Sequence, residues 1–200
     1  MRTWPAANLP GSVGLLRAVG MSQVHVRPQK VAQALRRAGF STLLFDLLTG
    51  PEAADRANVF DIPLLATRVV DAIGWVSGRP DLQALPLGLF GASTGAAAAL
   101  VAAAERPESV DAVVSRGGRP DMASGRLAEV RCPTLLIVGG ADLQVLALNQ
   151  RALAELGCPK ALRVIPGATH LFDEPGTLDA VIGEAISWFH DTFAEIHAPS

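Results

Sequence analysis

Residues 85–105 read LPLGLFGASTGAAAALVAAAE, and this stretch decides the predicted fold. Its first six residues form a short apolar run, which is typical of a β-strand ending at Phe90 despite the proline at position 86. Residues 96–105 are rich in alanine and predict an α-helix. Only the five residues GASTG lie between the two runs, so the strand turns sharply into the helix.

These five residues match the pattern G-x-S-x-G, with Ser93 at the centre. A sharp strand-to-helix turn brings positions 91 and 95 close together, and glycine carries no Cβ that would clash there. The turn lifts Ser93 Oγ above the sheet edge, where the N–H of Thr94 and the positive end of the helix dipole face an oxyanion. The alternative is a plain tight turn without a chemical role.

The rest of the chain alternates short apolar runs with longer helical runs, which predicts an α/β fold of one domain over residues 1–200. The apolar runs are continuous instead of alternating, as a sheet covered by helices on both faces requires. We expect a mostly parallel sheet of about six strands. The predicted strands are residues 12–16, 41–45, 85–90, 110–114, 134–138 and 161–165, and the predicted helices are 31–38, 63–75, 96–105, 143–156 and 176–193.

Composition narrows the possible functions. The 200 residues include 17 Lys and Arg against 19 Asp and Glu, a net charge of -2, so no basic surplus exists to bind nucleic acid or an anionic membrane. The two cysteines, Cys132 and Cys158, are too few for a disulfide scaffold. Residues 1–20 lack the apolar run of a signal peptide, so we expect a cytoplasmic protein.

A serine nucleophile needs a base, and the base needs a carboxylate to orient it. His170 lies in the loop 166–170 that follows the strand predicted at 161–165, and Asp142 lies just beyond the end of the one at 134–138. In a parallel sheet both therefore lie at the edge that carries Ser93. Each has a plainer interpretation: His170 as a surface-loop histidine, and Asp142 as the N-cap of the next helix.

The chain order Ser93, Asp142, His170 is that of the α/β-hydrolase triad, and the sequence resembles that superfamily. Within it, the chain is similar to the dienelactone-hydrolase-like branch, which includes proteins annotated beside phosphoribosyltransferases. The similarity covers about residues 31–189 and implies an α/β-hydrolase fold. The segments that carry it are FDLL (45–48), NVFDIP (58–63), SRGGRPD (115–121) and GATHLF (167–172).

Dienelactone hydrolase itself uses a cysteine nucleophile, whereas position 93 is serine. The resemblance therefore implies a serine ester hydrolase, with the backbone of Thr94 as one oxyanion donor. Relatives supply the second donor from a His-Gly-Ser-Gly-like loop after an early strand. Here the corresponding loop is residues 17–22, where the backbone N–H of Val19 or Gly20 could serve, with Gly20 as the expected donor. Because residues 1–11 leave little room for the earlier strands of relatives, we expect a sheet without them.

Two arginines follow the strand predicted at 110–114, within a glycine-rich loop. Arg116 or Arg119 could bind a substrate carboxylate or phosphate through a forked hydrogen bond. The alternative, equally favoured, is a solvated loop in which an arginine pairs with Asp121.

Other chemistries lack their motifs. The sequence contains no H-E-x-x-H, no paired C-x-x-C and no G-x-x-x-x-G-K-[ST], so we expect neither metal nor cofactor. The leading hypothesis is a carboxylesterase-type enzyme for small-molecule esters. Its rival is a non-catalytic module of the same fold that binds a ligand or partner, and acyl transfer would use the same residues. The natural substrate, acyl-chain length and oligomeric state are not readable from the sequence.

Overall fold

A computed structural model describes residues 12–17, 26–123 and 125–196. Within these residues, six strands form a single parallel sheet in the order β2-β1-β3-β4-β5-β6. This architecture confirms the predicted fold class. The strands are β1 (Ser12–Arg17), β2 (Ser41–Asp46), β3 (Leu87–Ala92), β4 (Ala112–Arg116), β5 (Thr134–Gly139) and β6 (Lys160–Ile165).

Helices cover both faces of this sheet. One face packs against α4, α5 and α6, and the other against α1 and α7. Side chains along β3 alternate between the two sides: Leu89 joins the first hydrophobic cluster and Phe90 the second. The helices are α1 (Val26–Arg37), α2 (Gly50–Ala54), α3 (Arg56–Phe60), α4 (Ile62–Ser77), α5 (Thr94–Glu105), α6 (Leu143–Glu155) and α7 (Thr177–Ile196).

The path of the chain across the sheet reverses after β2. The chain passes from β1 outward to β2, and then returns to place β3 on the other side of β1. From there β3, β4, β5 and β6 follow in sequence order across the sheet. Because all of these strands are parallel, the segments that follow them meet at one edge, where open α/β sheets bind their ligands.

β3 and β4 each begin two residues later than the sequence predicts, and one local contact explains both starts. β3 begins at Leu87 instead of residue 85, and β4 begins at Ala112 instead of residue 110. Asp111 closes the start of this pair, because its carboxylate accepts the N–H of Leu87 at 2.7 Å while its own N–H donates to Leu87 O at 2.8 Å. Strand pairing then starts with Gly88 opposite Ala112.

The segment 50–58 lies outside every strand and helix predicted from the sequence, but it is helical in the structure. It forms α2 and most of α3. Thr49 caps α2 with a capping box: its side chain accepts the N–H of Glu52, whose carboxylate in turn accepts the N–H of Thr49. Asp55 caps α3 by accepting the N–H of Ala57.

The expectation that residues 1–11 hold no early strands concerns residues outside those that the structure describes. Among the residues that are described, Cys132 and Cys158 are free thiols buried in the protein. No helix in this part of the chain is both long and apolar enough to cross a membrane.

Candidate active site

Ser93 occupies a strained turn between β3 and α5. Its backbone has φ 51° and ψ -124°, a conformation that a residue with a side chain rarely adopts. Gly91 makes this turn possible, because a Cβ there would lie 2.5 Å from Ala96 Cα and 2.6 Å from Gly95 O. As the sequence predicted, position 91 therefore has no room for a side chain.

The loop after β4 supports the backbone of Ser93 from both sides. Ser93 N–H donates to Arg116 O at 3.4 Å, and Arg119 N–H donates to Ser93 O at 3.2 Å. Gly117 sits between them with φ 50° and donates its N–H to Ile137 O on β5 at 2.7 Å. These bonds stabilise the strained serine and fix it relative to the neighbouring strands.

Asp142 and His170 form a hydrogen-bonded pair at the same edge. His170 Nδ1 lies 2.8 Å from Asp142 Oδ2, while Asp142 Oδ1 accepts the N–H of Val145 at 3.4 Å as the N-cap of α6. An ionised carboxylate can only accept, so the proton of the neutral imidazole belongs on Nδ1. His170 Nε2 is then left with a lone pair and can act as a base.

The approach of the His170 loop to β5 requires a glycine. A Cβ on Gly139 would lie 2.3 Å from Ala168 O and 2.7 Å from Thr169 O. Ala141 N–H donates to Ala168 O at 2.9 Å, which ties this loop to the residue before Asp142. The pair is thus held by backbone contacts between the segments after β5 and β6.

Ser93, Asp142 and His170 line a common cavity of about 280 Å³. The three residues come from segments that follow β3, β5 and β6, as their spacing in the sequence predicted. Four further residues complete the lining: Arg119, Gln144, Val145 and Leu148. The cavity therefore has an apolar side beside its charged and polar groups.

The two loop arginines have different surroundings. Arg119 lines the cavity and donates from Nε and Nη2 to the two carboxylate oxygens of Asp121, at 2.8 and 2.7 Å. This bidentate bond lowers the pKa of Asp121 and raises that of Arg119. Arg116 instead places its guanidinium over the Phe172 ring, 5.5 Å from the centroid, and is not part of the cavity lining.

Only one of the two expected oxyanion donors, Thr94, lies in the described part of the chain. Thr94 is buried and begins α5, where the first N–H groups of a helix have no acceptor within the helix. Gly20 lies outside the described residues. In the described part of the chain, no group of three or more His, Cys, Asp or Glu side chains is arranged to hold a metal ion.

The sequence reasoning missed Gln144, Val145 and Leu148, which line the cavity from the first turns of α6. The helical repeat of the segment after Asp142 could have indicated these residues. A helix that begins directly after Asp142, at the ligand-binding edge, points one face of its first turns toward the site, and positions 145 and 148 share a face.

Comparison with known proteins gives this site a family context. Residues 4–188 match the dienelactone hydrolase family. The chain belongs to that family. A dienelactone hydrolase from Anabaena variabilis, of known crystal structure, is 52% identical with a TM-score of 0.88, over 93% of this chain and 88% of that one.

Two other relatives extend the comparison. A Mycobacterium tuberculosis protein named "Putative phosphoribosyl transferase" is 57% identical over 181 residues. The match covers 90% of this chain but 41% of that protein. The chain therefore spans about two-fifths of the length of this curated relative. An esterase domain from Rhodothermus marinus shares the fold at 20% identity, with a TM-score of 0.71 over 94% of this chain and 89% of that one. At this identity, the likeness to the esterase domain shows a shared fold.

Proposed function

We propose that this protein is a serine ester hydrolase that cleaves small-molecule esters through an acyl-enzyme on Ser93. The observation that carries the proposal is the 2.8 Å contact of His170 with Asp142 at the cavity that Ser93 also lines. That arrangement offers a nucleophile, a base with an available Nε2, and a carboxylate that orients the base.

In the acylation step, Ser93 Oγ attacks the ester carbonyl carbon while His170 Nε2 takes the hydroxyl proton. Asp142 stabilises the imidazolium that forms. As the tetrahedral intermediate collapses, the bond to the leaving oxygen breaks and His170 returns the proton to the departing alcohol. Ser93 is then joined to the acyl group as an ester.

In the deacylation step, His170 takes a proton from water, and the resulting hydroxide attacks the acyl carbon. The acid leaves and the proton returns to Ser93 Oγ. In both steps the carbonyl oxygen becomes negative, and the N–H of Thr94 at the start of α5 stabilises it. We assign the second donor to the backbone of Gly20.

The cavity favours small substrates. Its volume of about 280 Å³ is at the lower end of small-molecule sites. Val145 and Leu148 offer a surface for an apolar substituent, and Arg119 offers hydrogen-bond donors to an acceptor on the substrate. Lactones are cyclic esters, so the same steps would open a dienelactone, the substrate in the name of the Anabaena relative.

Substituting the nucleophile tests this function. We expect Ser93→Ala to lower kcat/KM for p-nitrophenyl acetate by about 10³-fold or more, because no other lining residue in the described part of the chain carries a hydroxyl or thiol. Ser77→Ala, at the exposed end of α4, is the matched control and should keep the parent rate. A Ser93→Ala protein as fast as the parent would contradict the mechanism.

A further inference from the structure

Asn149 is a fully buried polar residue that directly follows Leu148 of the cavity lining. It lies on α6, seven residues after Asp142, so two helical turns place the two residues on one face. Its Nδ2 donates to two carbonyl groups, Gly118 O at 3.1 Å and Val145 O at 2.8 Å. The first bond leaves the helix and reaches the loop after β4.

The two carbonyl acceptors fix the orientation of this side chain. If the amide were turned over, its oxygen would face two other oxygens, so the NH₂ group must point at Gly118 and Val145. Asn149 Oδ1 is then buried, and no hydrogen-bond partner for it lies among the described residues. An unpaired buried oxygen lowers stability, which argues against a purely stabilising role for Asn149.

Gly118 belongs to the loop that supports Ser93. Gly117 and Gly118 lie between Arg116 and Arg119 in the sequence. These two arginines make the two backbone hydrogen bonds to Ser93. Gly118 is also closely packed, because a Cβ there would lie 2.0 Å from Ser115 Oγ and 2.8 Å from Ala96 Cβ. A displacement of Gly118 would therefore be transmitted to the backbone of Ser93.

We propose that Asn149 is a positioning residue for the reaction: it ties α6, whose N-cap is Asp142, to the loop that holds Ser93. Through Gly118 it sets the separation between the nucleophile and the His170–Asp142 pair. This inference rests on the proposed function. It assigns Asn149 no contact with the substrate or with any reacting atom.

Asn149→Leu tests the inference, since leucine has a similar size and donates no hydrogen bond. Misplacing a reacting group by about 1 Å can cost about 10²-fold in rate. We expect kcat for p-nitrophenyl acetate to fall by about 10- to 100-fold, with KM within about threefold of the parent. Circular dichroism at the assay temperature confirms that the measured protein is folded.

Two further variants make the result decisive. Asn149→Ser keeps a hydroxyl that can bond to Val145 O but cannot reach Gly118 O, so we expect the same fall in kcat, even where the leucine variant does not fold. Thr134→Val is the matched control: Thr134 is equally buried, donates to Cys132 O at 3.1 Å, and begins β5 at the edge away from the site. It should keep the parent kcat.

A folded Asn149 variant with kcat within twofold of the parent overturns the inference, and so does a change confined to KM. These outcomes are separate from failure of the proposed function. If Ser93→Ala is inactive while Asn149→Leu and Asn149→Ser are as active as the parent, the positioning role alone is wrong. If Ser93→Ala keeps the parent rate, the proposed function itself is wrong.

Discussion

Asp142 makes a different contact with each of its carboxylate oxygens. Oδ1 caps α6 through the N–H of Val145, and Oδ2 lies 2.8 Å from His170 Nδ1. The two interpretations open at the sequence level, a helix cap and a partner for the histidine, are therefore compatible in one residue. A substitution can therefore separate the contribution of Asp142 to capping α6 from its contribution to orienting His170.

Asp142→Asn should remove the charge and keep the cap, because asparagine caps helices about as well as aspartate. We expect kcat/KM for p-nitrophenyl acetate to fall by about 10³- to 10⁴-fold, since an amide no longer enforces the required tautomer of His170. The free energy of unfolding, measured with urea, should change by less than about 1 kcal/mol.

The matched control is Asp61→Asn. Asp61 caps α4 in the same way, accepting the N–H of Leu64 at 3.0 Å, but it is not part of the cavity lining. Its substitution should leave both the activity and the stability close to those of the parent. If Asp142→Asn also keeps the parent activity, Asp142 acts only as a helix cap.

At the scale of elements, the β3–α5 connection depends on the absence of a side chain at Gly91. The atoms that a Cβ would meet belong to the backbone of Gly95 and Ala96 and cannot move without disturbing the start of α5. We expect Gly91→Ala to lower the free energy of unfolding by about 1–3 kcal/mol, as overpacking does. Esterase activity should fall as well, because Ser93 lies within the displaced turn.

Gly183→Ala is the control for the Gly91 substitution. Gly183 is an exposed residue of α7, and a Cβ there meets nothing within 4 Å. Alanine should raise the free energy of unfolding by about 0.5–1 kcal/mol, since glycine is the weaker helix former. If Gly91→Ala is instead as stable and active as the parent, the turn is not constrained as described.

Most elements were predictable because their patterns are local. Continuous apolar runs identified the strands, and the glycine-flanked serine located the turn into α5. The starts of β3 and β4 could not be predicted, because Asp111 sets them through contacts with Leu87, a residue 24 positions away in the chain. The short helices α2 and α3 were missed although Thr49 and Glu52 form a capping box that the sequence shows.

At the scale of the whole molecule, the parallel sheet brings together residues that are distant in the chain. Asp142 and His170 are 28 residues apart, yet their side chains are in contact because β5 and β6 are neighbours. The sequence predicted this shared edge, since each residue lies in the segment that follows a strand. It could not predict that Arg116 lies over Phe172 while Arg119 reaches the cavity, because side-chain directions depend on the packed structure.

The central claim, that Ser93 is an activated nucleophile in the folded protein, is tested most directly by reaction with a fluorophosphonate. Such a reagent modifies serines that a neighbouring base has activated. Intact-protein mass spectrometry should show one adduct per chain, and peptide mapping should place it on Ser93. The adduct should be absent from Ser93→Ala and from protein unfolded before the reagent is added. Folded parent protein that stays unmodified, or that carries its adduct on another residue, would contradict the claim.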